Sequence, residues 1–203
     1  MKIKQYLTIL GILLASFGAL SAAAPKVGEP APAFTGTGSD GKTYNLSDFE
    51  GQFVVLEWLN HGCPFVVKHY DTGNMQALQA MAKENEVVWL SINSGAPGQQ
   101  GHYNARDTNR ITYEKKATPT AVIIDEAGVI GKLYDAKRTP EFFIINPEGI
   151  IIYHGGMDDK PTTNKADVEG AHNYVKAALT EALAGKPITD PVTRPYGCTV
   201  KYK

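Results

Sequence analysis

The sequence predicts an α/β fold in which helices flank a mixed central sheet, with an N-terminal hairpin extension and a C-terminal tail. Short apolar runs rich in β-branched and aromatic residues alternate with longer segments of helical periodicity, which is typical of parallel strands joined by crossover helices. Near the C-terminus, two apolar runs flank a Pro-Glu pair and predict an antiparallel hairpin. Parallel strands followed by a hairpin give a sheet with both kinds of pairing.

The same patterns place the elements along the chain. Residues 25–39 are rich in Pro, Gly, Ala and Thr and are expected to be extended, and the Ser-Asp-Gly-Lys sequence that follows has turn chemistry. Strands are predicted at 52–59, 86–93, 120–125, 141–146 and 149–153. Helices are predicted at 65–85, 103–116 and 168–184, and Pro64 is suited to open the first of them.

Composition excludes several functional classes. The 203 residues carry 20 basic and 21 acidic side chains, which argues against nucleic acid or an anionic membrane surface as a partner. The two cysteines, Cys63 and Cys198, are too few for a disulfide-rich scaffold or a four-cysteine zinc site. The five histidines show no metal-ligand spacing, so we expect neither a metal nor a cofactor.

Residues 1–23 are predicted to be a cleaved secretory signal peptide. Two lysines precede an uncharged stretch, residues 6–24, that begins strongly apolar and ends in small residues. Cleavage after Ala23 would leave a folded domain, 24–185, and a tail, 186–203. An uncleaved membrane anchor is the alternative, but the second half of the stretch is weakly apolar. We expect a periplasmic or otherwise exported protein without stable membrane insertion, in a compartment that permits disulfides.

Cys63 lies where a predicted buried strand ends and a predicted helix begins. A thiol there is near unpaired backbone N–H groups and the positive end of the helix dipole, and both favour the thiolate. His61, Lys68 and His69 could add positive charge, although the last two lie more than one helical turn away. The alternative is a buried structural cysteine, but the flanking Gly and Pro favour a reactive one.

Two further features could belong to the same site. Glu57 interrupts the apolar strand that leads to Cys63, and burial would raise its pKa and suit it to moving protons to and from a thiol. The alternative is a strand-end carboxylate that reaches water. The loop at 94–103 is long for a connection and is a candidate to line the site, or else an ordinary surface loop.

Several motifs together resemble the thioredoxin fold and, within it, the redoxin branch. The strand-to-helix cysteine, the Thr139-Pro140 step before the EFFIIN strand and the mixed-sheet order carry the first resemblance. The segments VGEPAPAF and DGKTYNLSDFEGQFVVLEW resemble the branch that groups AhpC/TSA-type peroxiredoxins with exported TlpA-like thiol-disulfide proteins. NHGCPFVVKHY, TPEFFIINPEG and GCTVKY resemble a bacterial group of redoxin-domain proteins, and the similarity runs from Val27 to Tyr202.

The resemblance implies roles for individual residues. Cys63 occupies the position of the attacking cysteine, Pro140 matches the proline that has a cis peptide bond and faces that cysteine, and Glu57 matches the buried acid of thioredoxins. The chain also departs from both signatures. It lacks the nearby second cysteine of Cys-x-x-Cys, and Asn60 stands where peroxiredoxins carry the threonine that helps to hold peroxide. Arg138 is a candidate for the peroxiredoxin arginine.

Cys198 has three possible roles. As a resolving cysteine on a mobile tail, it would close a disulfide with Cys63 and replace the missing local partner. As a permanent staple, the Cys63–Cys198 bond would pin the tail. The third possibility is no pairing at all. Gly197 permits a close backbone approach at this point, and Tyr196 and Tyr202 are candidates to dock the tail.

The leading functional hypothesis is an exported thiol–disulfide oxidoreductase with Cys63 as nucleophile, acting on a protein thiol or disulfide partner. A peroxiredoxin-like thiol peroxidase, which would reduce small hydroperoxides as an antioxidant, is the closest alternative. A non-enzymatic binding protein with a structural Cys63–Cys198 disulfide is a second alternative. Copper delivery is a third, because thiolate and imidazole suit that ion.

Overall fold

The computed structural model describes residues 24–203, and the predicted signal peptide lies outside the described residues. The strands in this part of the chain are β1 (Thr35–Gly38), β2 (Thr43–Asn45), β3 (Val54–Trp58), β4 (Val88–Asn93), β5 (Ala121–Ile124), β6 (Arg138–Thr139), β7 (Glu141–Ile145), β8 (Ile151–Gly155) and β9 (Cys198–Thr199). The α-helices are α1 (Pro64–Asp71), α2 (Asn74–Glu84), α3 (Ala105–Glu114), α4 (Val129–Leu133) and α5 (Tyr174–Leu183). Short 3-10 helices occupy Leu46–Phe49 and Lys165–Val168.

Seven of the strands form one sheet in the order β2-β1-β5-β4-β3-β7-β8. β3 pairs in parallel with β4, and β4 pairs in parallel with β5, whereas the other neighbours in this sheet pair antiparallel. This mixed sheet with helices on its faces confirms the thioredoxin-type architecture that the sequence predicts. β3 is hydrogen-bonded on both edges, so the segment that follows it, including Cys63, starts from the middle of the sheet.

The predicted N-terminal hairpin is confirmed, and it extends the sheet. β1 pairs antiparallel with β2 and also with β5, so the hairpin forms one end of the sheet. The turn between its strands works as its residue types predict. Gly41 takes a φ of +81°, and the Asp40 carboxylate accepts the backbone N–H of Lys42 at 3.1 Å.

The sheet separates two apolar clusters, and residues of β3 alternate between them. Val55 belongs with Cys63 to the cluster covered by α1, α2 and α5, whereas Leu56 and Trp58 belong to the cluster covered by α4. Because successive side chains of a strand point to opposite faces, Glu57 faces the same side of the sheet as the cluster containing Cys63.

Two predicted helices are shorter or more divided than the sequence pattern indicates. The segment 65–85 forms two helices, because Gly73 adopts a left-handed φ of +76° between α1 and α2. The segment 168–184 begins in a 3-10 helix, and its α-helix starts only at Tyr174. There the Asn173 side chain caps the helix by accepting the Lys176 N–H at 2.9 Å.

The sequence analysis missed helix α4, which lies between β5 and β6. It begins after Gly128, which has a φ of +67°, and its Gly131 N–H donates to the Asp125 carboxylate at 2.8 Å. A helix of five residues is too short to show an apolar periodicity in the sequence. The hydrogen bond to Asp125 that fixes its position is visible only in the structure.

The C-terminal tail is docked along the body of the protein. β9 pairs with β6, the Thr193 N–H donates to the His154 carbonyl at 3.0 Å, and the Ala96 N–H donates to the Lys201 carbonyl at 2.8 Å. The tail is therefore hydrogen-bonded on both sides of Cys198. Among residues 24–203, no helix has both the length and the apolarity that crossing a membrane would require.

Candidate active site

Cys63 is the N-cap residue of α1. It follows a tight turn in which its backbone N–H donates to the Asn60 carbonyl at 2.9 Å, and its φ of −82° and ψ of 123° are extended. Pro64 occupies the first helical position, where its missing N–H costs nothing. The sequence therefore places the thiol at the helix N-terminus as predicted, and the side chain is fully buried.

The surroundings of the Cys63 sulfur favour its ionised form. In the thiol form, Sγ donates to the Thr139 carbonyl at 3.1 Å. Burial raises the pKa of Cys63, but hydrogen bonds from the Cys198 thiol, the Thr139 side chain and the Val66 N–H outweigh it, and the net shift of the pKa is downward. Hydrogen-bond donors at a helix N-terminus lower the pKa of a thiol because they stabilise the charged thiolate more than the neutral thiol.

The Thr139–Pro140 peptide bond is cis, and it follows β6 opposite the cysteine. The buried carboxylate of Glu141 fixes the backbone that leads into this peptide bond. One of its oxygens accepts the backbone N–H groups of Lys137 and Arg138, both at 2.8 Å, and the other lies 2.8 Å from Nε2 of His154. The Thr139 carbonyl is thus presented to Cys63 from a fixed strand.

Cys198 reaches the same place from the tail. It is the register partner of Thr139 in the antiparallel β6–β9 pair, and its side chain packs against the cluster that contains Cys63. The pKa of Cys198 is raised to about 12, first by burial and then by its hydrogen bond to Cys63 and the negative charge that develops there. Both cysteines are free thiols. The fold therefore brings together two residues 135 positions apart, and their pKa values shift in opposite directions.

Lys68 and His69 point away from Cys63, into a buried cluster that anchors the tail. The Tyr196 hydroxyl donates to the Asp158 carboxylate at 2.5 Å and lies 3.1 Å from Nε2 of His69. Lys68 donates to the Lys160 carbonyl at 2.9 Å and lies 3.7 Å from the Asp158 carboxylate. Burial and the neighbouring Lys68 charge lower the pKa of His69 to about 3, so His69 is neutral here.

His61 also contributes no charge to the site at neutral pH. Its ring packs edge-on against Tyr70 with centroids 4.9 Å apart. Burial lowers its pKa to about 4, with a smaller effect from Lys115. The possibility that His61 adds positive charge beside the Cys63 sulfur is therefore not realised, and Lys68 and His69 point elsewhere, as their distance from Cys63 along the helix allows. Hydrogen bonds lower the pKa of Cys63 instead.

Glu57 is fully buried, so it is not a strand-end carboxylate that reaches water. Its oxygens accept hydrogen bonds from Ser91 Oγ at 2.6 Å, Trp89 Nε1 at 2.8 Å and the Tyr70 hydroxyl at 3.0 Å. Burial raises the pKa of Glu57, and these three donors oppose the rise without cancelling it. The four hydrogen-bonding side chains lie on the Cys63 side of the sheet, but none of these bonds reaches the thiol.

The Asn60 amide holds the turn before Cys63. Its oxygen accepts the Gly62 N–H at 2.8 Å, and its nitrogen donates to the carbonyl of Gln100 at 3.2 Å. Gln100 in turn donates to the Gly62 carbonyl at 2.5 Å. Gln100 thereby attaches the loop at 94–103 to the site, in line with the prediction that this loop lines the site and is not an ordinary surface loop. Asn60 is hydrogen-bonded to backbone groups and to the Gln100 side chain, and not to the thiol.

Arg138 and the copper alternative are the remaining features raised by the sequence. Arg138 lines a cleft beside the tail, together with Arg194 and Gly197. In the described part of the chain, no group of three or more His, Cys, Asp or Glu side chains is arranged to hold a metal ion.

The residues that sequence reasoning missed are those that hold the site together across long separations. Gln100 and Asp158 contact the site or its tail from 40 and 38 positions away. Neither has a motif of its own. The docking role of Tyr196 and Tyr202 was expected from their position, and Tyr202 donates to the Ala136 carbonyl at 2.7 Å.

Comparisons with known proteins agree with this geometry. Residues 26–172 match the family model described as Redoxin. An uncharacterized conserved protein from Geobacillus kaustophilus is 27% identical, with a TM-score of 0.78 over 88% of this chain and 93% of that one. A hypothetical protein from Sinorhizobium meliloti 1021 is 20% identical, with a TM-score of 0.75 over 89% and 97% of the two chains.

A structure described as a putative thiol:disulfide interchange protein DsbE from Chlorobium tepidum shares the fold. It is 22% identical, with a TM-score of 0.59 over 79% of this chain and 99% of that one. No curated protein sequence matches the chain.

Proposed function

The chain belongs to the redoxin family of thiol-dependent oxidoreductases, and on that premise we propose that it performs thiol–disulfide exchange with Cys63 as the attacking thiol and Cys198 as the resolving thiol. One observation carries the proposal. Cys63 and Cys198 are free thiols, Cys198 packs against the cluster that contains Cys63, and the interaction between the two lowers the pKa of Cys63 while it raises that of Cys198. The thiolate is the nucleophile in such exchange, so Cys63 is the sulfur that attacks first.

The reaction has two balanced steps. The Cys63 thiolate attacks one sulfur of a substrate disulfide, forms a mixed disulfide and releases the other sulfur as a thiolate. Cys198 then loses its proton to the released thiolate or to water and attacks the Cys63 sulfur. This step displaces the second substrate thiol and leaves a Cys63–Cys198 disulfide. The substrate disulfide is reduced by two electrons, and the two protein thiols are oxidised by two.

The tail must move before a protein substrate can reach Cys63. The thiol is fully buried, and β9 lies across β6 beside it. The β6–β9 pair is only two residues long on each strand, so separating it costs far less than global unfolding. We propose that the tail opens to admit the substrate and closes to bring Cys198 back to the mixed disulfide.

The other predicted site residues have supporting roles in this proposal. Pro140 and Asn60 shape the two segments that meet at Cys63, the β6 strand and the turn before α1. Glu57 acts as a buried proton store, because burial raises its pKa and so favours the protonated carboxyl more than in water. Since its hydrogen bonds do not include the thiol, it would act through a water molecule.

The substrate we propose is a protein thiol or disulfide in an exported compartment. The sequence of residues 1–23 supports export, and the family supports a thiol redox partner. The mass of the protein recovered from the periplasm of expressing cells tests the first part. Loss of 23 residues is expected, and full-length protein in the cytoplasm would contradict export.

The test of the exchange reaction uses the mature protein and an oxidised peptide with one intramolecular disulfide. The wild-type protein should reduce the peptide and acquire a Cys63–Cys198 disulfide in equal amount. The Cys63→Ser variant should be inactive, and the Cys198→Ser variant should accumulate the mixed disulfide on Cys63. A Cys63–Cys198 disulfide that resists dithiothreitol would instead indicate a permanent staple and contradict the proposal.

A further inference from the structure

A cleft of about 490 Å³ lies beside the tail where it approaches the two cysteines. One wall is the tail segment 194–197, and the other is formed by Arg138, Tyr174 and residues around Asp158 and Pro161. Its volume falls in the range of small-molecule sites.

The cleft is lined by neighbours of the paired residues Thr139 and Cys198 on both strands. Gly197 immediately precedes Cys198, and Arg138 immediately precedes Thr139, the residue that pairs with Cys198. A molecule in the cleft is therefore one residue away, along either strand, from the β6–β9 pair that carries Cys198.

Two arginines at the cleft have no ionic partner. Among the residues that the structure describes, no carboxylate lies within 4.0 Å of the guanidinium of Arg138 or Arg194. The nearby acids are occupied otherwise. Asp158 binds Tyr196 and the Lys160 N–H, and Asp159 accepts the His172 N–H at 2.9 Å. An unpaired guanidinium is suited to bidentate binding of a carboxylate.

The acids beside the cleft do not cancel this positive charge. The Asp158 side chain is 1% exposed, and its Oδ2 oxygen faces the interior, 3.7 Å from the Lys68 ammonium and 3.9 Å from Nε2 of His69. Its negative charge is therefore compensated inside the protein.

We propose that the cleft binds a low-molecular-weight thiol carrying carboxylate groups, and that this thiol reduces the Cys63–Cys198 disulfide. Arg138 and Arg194 would bind the carboxylates. The inference rests on the proposed function, because it requires that this disulfide forms. It adds the class of small molecule that regenerates the protein.

The chemistry follows from the position of the cleft. The thiolate of the bound molecule attacks the Cys198 sulfur, the S–S bond breaks, and Cys63 leaves as a thiolate. Cys63 is the better leaving group because its thiolate is stabilised by hydrogen bonds. A second thiol molecule attacks the sulfur of the bound molecule and releases Cys198. Two small thiols are oxidised to one disulfide, and the protein disulfide is reduced to two thiols.

The test compares glutathione with its diethyl ester as reductants of the oxidised mature protein. The ester keeps the thiol, the peptide N–H groups and the ammonium, but lacks both carboxylates. For each of the two thiols, the rate constant with the protein is divided by its rate constant with a small soluble disulfide, which corrects for intrinsic reactivity. The normalised rate constant should be about tenfold larger for glutathione than for its ester. Its rate should also saturate with concentration.

The variant Arg194→Gln should remove most of the preference for glutathione, and Arg106→Gln is the matched control. Arg106 is an arginine in α3 that does not line the cleft. A preference that persists in Arg194→Gln, or that falls equally in Arg106→Gln, would overturn the inference. So would equal normalised rates for glutathione and its ester.

The proposed function and this inference fail in different ways. Mass spectrometry of the oxidised protein is done first. If no Cys63–Cys198 disulfide forms, both are overturned. If the disulfide forms and dithiothreitol reduces it, but glutathione has no advantage over its ester, only the inference is overturned.

Discussion

The backbone of Gly197 lies directly against the carbonyl of Thr139. A Cβ atom added to Gly197 would lie 2.1 Å from that oxygen, and the φ of Gly197 is +117°. The same carbonyl accepts the Cys63 thiol at 3.1 Å. A glycine is therefore required where the tail crosses the site, because any side chain would push the tail away from Cys63.

We predict that Gly197→Ala opens the tail. The added methyl group cannot fit against Thr139, and the left-handed backbone adds strain, so the free energy of unfolding should fall by about 1–3 kcal/mol. Alkylation of Cys63 by iodoacetamide should become faster at the same time, and peptide mapping would measure it.

Gly28→Ala is the control for backbone strain. Gly28 also has a positive φ, of +89°, but a Cβ there would meet no atom within 4 Å. This variant should lose some stability without faster alkylation of Cys63. Equal alkylation rates in Gly197→Ala and the wild type would show that the tail does not cover the thiol.

The reactivity of Cys63 should depend on Cys198. The hydrogen bond from Cys198 lowers the pKa of Cys63, so Cys198→Ala should raise that pKa. The pH dependence of the reaction of Cys63 with methyl methanethiosulfonate would then shift to higher pH. A midpoint that does not move, or moves to lower pH, would show that Cys198 does not stabilise the thiolate.

The buried carboxyl of Glu57 should make stability depend on pH. Burial raises its pKa above the value in the unfolded chain, so its favourable contribution is complete below about pH 4.5 and is lost as pH rises through the folded pKa. Relative to Glu57→Gln, the wild-type protein should therefore lose stability between pH 4 and pH 8.

Urea unfolding of both proteins at the two pH values measures this difference. Glutamine keeps an acceptor for Ser91 and Trp89, so the variant should still fold. The same stability difference at pH 4 and pH 8 would mean that Glu57 does not titrate in this range.

Tyr196→Phe should weaken the docking of the tail. The hydroxyl donates to the buried Asp158 carboxylate, and its removal leaves that group with fewer donors, at a cost of about 1–3 kcal/mol. Hydrogen exchange at the backbone amides of 196–200 should accelerate. Tyr113→Phe is the control, because its side chain is 85% exposed.

Peroxide should be a poorer oxidant than a disulfide. The Asn60 amide, which stands at the peroxide-holding position, is bonded to Gly62 and Gln100 and offers little to a peroxide. We expect hydrogen peroxide to be consumed no faster than by free cysteine, in a stopped-flow comparison at equal thiol concentration. Consumption at least a hundredfold faster would favour the peroxidase alternative.

Much of the fold could be predicted because it depends on local pattern. The apolar run before Cys63, the turn at Asp40-Gly41 and the hairpin around Pro147 each carry their own residue signal, and all three are present in the structure. The division of the segment 65–85 into two helices at Gly73 could not be predicted, because both helices bury apolar residues on the same side of the sheet and the apolar pattern continues across the break.

The sequence predicts individual residues of the site, but not how residues from distant segments come together there. Cys63 at a helix start is a local feature, and the sequence is sufficient to find it. Cys198 pairs opposite Thr139 although the two are 59 positions apart in the sequence, and no local pattern encodes this pairing. The charge of His61 and His69 was misjudged for a related reason, because burial among distant residues sets their pKa values.

The order in which the two cysteines react tests the central claim most directly. The reduced mature protein is mixed with oxidised peptide, samples are quenched with acid at millisecond intervals, and the products are mapped by mass spectrometry. We predict a mixed disulfide on Cys63 first, followed by a Cys63–Cys198 disulfide and release of the peptide. A mixed disulfide that forms first on Cys198, or exchange that persists in Cys63→Ser, would contradict the assignment of Cys63 as the attacking thiol.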